Sequence, residues 1–203
     1  MLADEFLPVY DVSDEVATVI HADTPGVWQA LLNVDMIALG RRAPLVGVLG
    51  ALRVLPELVS HLWHGERPAG GPKSLHLREM AELPRAQGGW TVLGEREGEE
   101  IALGLVGKFW RPVIEYADVP AEDFTGFDEP GYAKTIYQLS VRRIDDGTLL
   151  SGLMRTATTD AHARDWFRRY WTFGVGSGAH ILVQALLDSV RDDAEIGTGG
   201  RRP

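Results

Sequence analysis

Apolar and polar residues alternate over residues 15–21, with Val16, Thr18 and Ile20 on one side, which predicts a first strand with one apolar face. Asp23-Thr24-Pro25 then reads as a helix start. Thr24 is suited to cap the free amides, and Pro25 to the first helical position, where its missing N–H costs nothing. Val27, Trp28, Leu31 and Leu32 share one face of the helix that follows. Residues 44–64 predict two short helices, the second opening at Pro56. The first, 45–54, is apolar nearly all round, so it needs a cover of protein or of a partner. Residues 65–72, rich in Gly and Pro, form a loop.

Strand patterns dominate from 74 to 158. Leu75, Leu77, Ala81 and Leu83 suggest one strand, and 113–117 a short one. Residues 90–96 and 101–108 suggest a hairpin turning at Glu97-Gly98; 132–144 and 149–158 suggest a second, turning at Asp146-Gly147. This makes about seven strands with short connections, an antiparallel meander rather than a βαβ sheet. An even-membered second turn pairs Val141 with Gly152, Leu139 with Met154 and Tyr137 with Thr156 on the buried face. Lys134, Gln138, Ser140, Arg142, Ser151 and Arg155 fall on the other. The same construction at the first turn groups Trp90, Val92, Leu103 and Leu105; an odd-membered loop mixes the faces.

A last helix starts near Thr158-Thr159-Asp160 and runs to about Glu195. At about 100° per residue, Trp166, Phe167, Tyr170, Phe173, Ser177 and Ile181 form its inward stripe. Gly174, Gly176 and Gly178 interrupt it, each costing roughly 0.5–1 kcal/mol relative to alanine. Close backbone packing is one reading of these glycines, and a kink that widens a cavity is the other.

Composition narrows the function classes. A net charge of −9 repels a nucleic-acid backbone or an anionic membrane. Without cysteine there are no disulfides or thiolate metal sites. The most apolar run, 45–55, contains Arg53 and is well short of the roughly twenty residues that span a bilayer. The acidic start is unlike a signal peptide, so a cytoplasmic protein is expected. The length suits one domain over 1–203, with its core at about 14–195 and a flexible tail at 196–203.

The order of strand, helix, helical insert, strands and long aromatic helix resembles the START-like (Bet v 1-like, SRPBCC) superfamily. The wording of Gly107-Lys108-Phe109-Trp110-Arg111, of residues 155–160 and of Phe167-Arg168-Arg169-Tyr170-Trp171 is similar to its bacterial members. The resemblance implies an α+β helix-grip fold, a curved antiparallel sheet around the C-terminal helix, with small helices between the first and second strands. It also implies a cavity for lipids, polyketides or other apolar molecules, with cyclase or aromatase activity in some relatives. It supplies no catalytic residue.

The expected lining of that cavity is Val92, Leu103, Leu105, Tyr137, Leu139, Met154, Thr156, Trp166, Tyr170, Phe173 and Ser177. Its hydroxyls either orient a ligand or satisfy one another. No cofactor is expected. Glu57, His61 and His64, with His76, have a spacing that suits a metal, but a solvated helix face is the favoured reading and no metal site is assigned. Arg142 and Arg155 read as solvated charges on the outer sheet face. His180, near the edge of the stripe, is an acid/base candidate or a plain surface histidine. The leading function is carriage or sensing of an apolar small molecule, with the 45–64 insert as a lid or a homodimer contact. The rivals are a polyketide cyclase-like enzyme using the same pocket, and a protein-binding module built on the insert.

Overall fold

The computed structural model describes residues 1–42, 74–77, 79, 82 and 89–199. The helices expected at 44–64, and with them Glu57, His61 and His64, lie outside the described residues. The chain order is α1 (Leu2–Phe6), β1 (Val12–Ile20), α2 (Thr24–Leu32), α3 (Met36–Arg42), β2 (Thr91–Arg96), β3 (Glu100–Gly107), α4 (Ala121–Phe124), β4 (Ala133–Ile144), β5 (Gly147–Thr158) and α5 (Ala161–Tyr170). A π-helical segment (Trp171–Val175) and α6 (Gly176–Gly199) complete the C-terminal helix. The strands form one antiparallel sheet in the order β1-β5-β4-β3-β2.

Among the described residues five strands form where about seven were expected, and Ala81 and Leu83 of one expected strand lie outside them. His76 makes only an isolated bridge to Asp35, and Tyr116 only one to Gly107. Neither 75–77 nor 113–117 finds a partner over enough length to build a ladder. At the start of α2 the cap is Asp23, whose carboxylate accepts from the Gly26 amide at 2.9 Å. Thr24 instead meets the Thr148 hydroxyl at 3.2 Å.

The β4–β5 turn is Asp145-Asp146, not Asp146-Gly147, and Gly147 pairs with Ile144. Neither aspartate has positive φ, so the primed turn suggested by Asp-Gly does not form. The register therefore moves by two residues: Val141 faces Leu150, Leu139 faces Gly152, and Tyr137 faces Met154. A shift of two preserves the faces, so each side chain stays on the expected side. The β2–β3 loop has three residues, with Gly98 at φ +75° in the left-handed position such loops require. An odd loop alone would exchange the faces. A bulge between Val92 and Gly94 adds a second odd step, and Val92 pairs with Leu103 as expected.

Both sheet faces are covered. The inner face packs Val16, Ile101, Leu139 and Leu150 against Val27, Trp28 and Leu31 of α2 and Val183 and Leu187 of α6. The outer face, expected to be solvated, buries Leu93, Ala102, Ile136 and Leu153 under Leu2, Ala3 and Leu7 of the α1 region and Phe124 of α4. Leu2, Ala3 and Leu7 thus belong to a packed core. Arg155 and Gln138 are buried on this face, while Arg142 is exposed. The Arg155 guanidinium pairs with Asp4 at 2.8 Å and stacks 4.5 Å from the Tyr10 ring. The Gln138 side-chain oxygen accepts from the Ala3 amide at 2.7 Å, and the Glu100 carboxylate accepts from the Leu2 amide at 3.2 Å.

The C-terminal helix bends by 63° between Ala161–Phe173 and Gly176–Ile196. The π-helical turn lies at the bend and inserts one extra residue, which turns everything after it by about 100°. Ala163, Phe167 and Tyr170 face the sheet before it; Val175, Ala179 and Val183 do so after it. Gly176 admits the Trp171 indole, because a Cβ there would stand 2.7 Å from the ring. The helix runs on to Gly199, past its expected end. No single helix among the described residues is long and apolar enough to cross a membrane.

Candidate functional site

The sheet register arranges the inner face in rows. Leu105, Thr135 and Thr156 make one row across β3, β4 and β5; Leu103, Tyr137 and Met154 make the next; Ile101, Leu139 and Gly152 make the third. Under the third row, α6 packs directly on the sheet. Under the first two the helix bends, and a cavity of about 140 Å³ opens. Its wall includes Leu105, Thr135, Tyr137, Met154 and Thr156 from the sheet and Phe167, Tyr170, Trp171, Val175 and Ala179 from the helix. Trp90 and Phe109 complete it.

Local chemistry explains how two of these side chains are held. Phe109 follows β3 in a loop clamped by Glu115, which takes Lys108 Nζ at 2.5 Å, the Tyr132 hydroxyl at 3.1 Å and the Arg111 guanidinium. The Glu115 carboxylate in turn holds the Lys108 ammonium pKa up. Phe167 is oriented by the start of α5, where Asp160 accepts from the Ala163 amide at 2.7 Å and from the Gly131 amide at 2.5 Å. Those amide bonds, the Ala163 one foremost, hold the Asp160 carboxyl below its ordinary range. The Gly107–Arg111 and 155–160 stretches therefore position the cavity wall more than they supply chemistry.

Two arrangements of hydroxyls face the cavity. Thr135 and Thr156 share one hydrogen bond at 2.9 Å. The Tyr137 ring stands edge-on to Trp90, centroids 5.2 Å apart, and its hydroxyl has no hydrogen-bond partner among the described residues. Tyr137 is half-buried and forms part of the cavity wall. Burial, with smaller contributions from Tyr170 and the Asp14 carboxylate, pushes the Tyr137 pKa up.

Of the expected lining, Leu105, Tyr137, Met154, Thr156 and Tyr170 are brought together here. Leu103 and Leu139 lie one step away, in the solid core beneath α6. Val92 is exposed on the edge strand. Trp166, Phe173 and Ser177 point outward, Phe173 with 88% of its surface exposed. The expected stripe includes Phe167 and Tyr170, which do face the sheet, but it is centred about 40° off the inward face of α5 and omits the extra residue of the π turn. Thr135, Phe109, Phe167 and Trp171 are lining residues that the expected set lacks. Thr135 follows from strand parity with Tyr137, and Phe167 and Trp171 from their i, i+4 spacing with Ala163.

His180 lies at the surface, its Nδ1 2.9 Å from Asp14 Oδ2, in a separate depression that shares Trp171 with the cavity. His76 Nδ1 meets the Asn33 carbonyl at 2.9 Å. No group of three or more His, Asp or Glu suited to a metal occurs among the described residues. A wider open groove of about 1090 Å³ lies at the other end of the β4–β5 hairpin, lined mostly by polar residues such as His21, Thr24, Arg143 and Asp146. It is larger, but the aromatic lining and the Tyr137 phenol single out the smaller cavity.

No protein-family model matches the chain, and no curated protein matches it. Solved structures follow its course at low identity. Protein Ms6760 from Mycobacterium smegmatis is 14% identical over 91% of this chain and 93% of its own, with a TM-score of 0.37. TTHA0849 from Thermus thermophilus is 10% identical over 92% and 99%, with a TM-score of 0.35. The Zhui aromatase/cyclase from Streptomyces sp. R1128 is 14% identical over 91% and 93%, with a TM-score of 0.30. The helix-grip description rests on the architecture above: one antiparallel sheet, small helices after β1, and a long C-terminal helix across the inner face.

Proposed function

We propose that this chain is a START-like protein that binds an apolar small molecule between the sheet and the bend of the C-terminal helix. The observation that carries the reading is the cavity itself. A well-packed interior leaves few voids larger than a water molecule, yet here the helix bends away at a glycine-rich turn and leaves about 140 Å³ within an aromatic wall. Lipid- or polyketide-like molecules are the class the resemblance suggests, and this volume takes a ring or a short chain segment of one.

The rival, an enzyme acting on a polyketide-like ring, needs an acid or base placed at the ligand. The lining described here offers no carboxylate, histidine or lysine. Its Tyr137 is shifted away from neutrality, which makes it a poor proton donor in catalysis and a durable hydrogen-bond donor in binding. Binding is therefore the better-supported function.

Titration with toluene, followed by amide NMR, tests the reading. Saturable shifts at Tyr137, Met154, Tyr170 and Trp171 are expected. Shifts scattered over the surface, or none, would remove it.

A further inference from the structure

The proposed binding site can be narrowed to a ligand class by its size, its charge and the one hydroxyl in its wall without a hydrogen bond among the described residues. A cavity of about 140 Å³ is close to the roughly 150 Å³ that holds benzene in an engineered protein interior. It is well below the roughly 300–1,000 Å³ of sites for drug-sized ligands. One ring fits it, and a fused polyketide or a whole fatty acid does not.

Among the described lining residues none is Lys, Arg, His, Asp or Glu. A carboxylate or ammonium entering this space would lose its water without gaining a counter-charge, which is strongly unfavourable. The nearest charge felt at Tyr137 is the Asp14 carboxylate, on the strand beyond β5, which further opposes an anion.

The polar groups then set what the ring must carry. Thr135 and Thr156 satisfy each other through one hydrogen bond. Tyr137 does not: it is half-buried, lines the cavity, and has no side-chain hydrogen bond among the described residues. A hydroxyl in the wall of an apolar cavity with no protein partner offers a donor to a ligand's acceptor.

We infer that the cavity selects an uncharged, single-ring aromatic bearing one oxygen acceptor, a phenol or an aryl carbonyl, with that oxygen at the Tyr137 hydroxyl. This rests on the cavity being the ligand site. The aromatic side chains Trp90, Phe109, Phe167 and Trp171 supply the edge and face contacts for the ring.

Calorimetric titration at pH 7 with benzene, phenol, benzoate and dodecanoate tests the inference on the wild-type chain and on Tyr137→Phe. Wild type is expected to bind phenol about three- to tenfold more tightly than benzene, the worth of one hydrogen bond. Benzoate and dodecanoate are expected not to bind measurably. In Tyr137→Phe the ratio of phenol to benzene should fall to about one while benzene binding persists. Equal binding of phenol and benzene to wild type overturns the inference, as does a preference retained in the variant. Binding of benzoate or dodecanoate as tight as that of phenol overturns it too, yet each of these results leaves a ligand cavity in place. Failure of all four probes, benzene included, removes the ligand site itself. The wild-type series decides charge and size selectivity even if the variant does not fold.

Discussion

Tyr137 and Gln138 are neighbours on β4 and point to opposite faces of the sheet, and they use their polar groups in opposite ways. Gln138 is buried under α1, and its side-chain oxygen takes the Ala3 amide. Arg155 and Glu100 on the same face are likewise tied to Asp4 and to the Leu2 amide. Tyr137 is half-buried beneath the helix bend. On the outer face Gln138, Glu100 and Arg155 each have a protein partner, although the Arg155 Nε itself is buried without one. On the inner side the Trp28 indole N–H is buried in the core without a partner, and the Tyr137 side chain lines the cavity with no hydrogen bond among the described residues. An unpaired group beside a void points to a ligand in a way that neither feature does alone.

The contrast can be broken most sharply at Gln138. Gln138→Leu keeps the volume close to that of glutamine but leaves the buried Ala3 amide with no acceptor. Its cost is expected to be about 1–3 kcal/mol, read as a lower denaturant midpoint. Toluene binding in the cavity should be unchanged, since the site lies through the sheet. A loss of binding together with stability would mean that the faces are not independent.

How much of this is legible in the sequence follows the same division. The inner face is readable because strand parity survives errors of two residues. The β4–β5 register differs by two from the expected one and every side chain still falls on the right side. At β2–β3 the loop and the bulge are each odd and cancel. The outer cover is not readable: α1 has five residues, too few to show a helical period, and nothing in Leu2-Ala3-Asp4-Glu5-Phe6 announces a docking partner. Arg155 therefore passes for a solvated charge. The helix stripe fails for a different reason. A π turn changes the phase by one residue, and the glycines at 174–178 mark where this happens without giving its direction. Periodicity places Phe167 inward correctly but also Trp166 and Phe173, which point outward, and it leaves out Trp171, which lines the cavity.

A second prediction concerns the seam where the grip is closed. Asp11 lies between the faces, and its carboxylate accepts from the Thr158 hydroxyl at 2.6 Å, the Thr158 amide at 2.7 Å and Arg164 Nε at 2.7 Å. Burial pushes its pKa up, but these hydrogen bonds outweigh it and hold the carboxyl below its ordinary value. A depressed pKa means that the unfolded chain binds the proton more readily. The contribution is therefore present above the unfolded value of about 3.9 and fades as pH falls through the lower folded value. Asp11→Asn should be destabilised by about 1–2 kcal/mol at pH 7, and the gap to wild type should narrow as pH falls below the unfolded value of about 3.9. Unfolding curves from pH 7 to pH 2 read both. A gap independent of pH would show that Asp11 acts by packing rather than by charge.

The smallest expected effect is the most telling. Tyr137→Phe removes one oxygen from the inner face, at the position next to Gln138. If that hydroxyl were part of the fold as the Gln138 amide is, the change would cost about 1 kcal/mol or more. With no protein partner to lose, removing it leaves stability within about 0.5 kcal/mol of wild type, or raises it slightly by sparing a half-buried hydroxyl its desolvation. The pH dependence carries a matching signature. A folded-state pKa pushed above the unfolded value of about 10 gives stability that is complete below that value and is lost as pH rises through the folded one. Tyr137→Phe should then unfold less steeply than wild type above about pH 10, while the two coincide at pH 7. A clear loss at neutral pH would place the Tyr137 hydroxyl among the structural groups, and the inner face would no longer differ in kind from the outer one.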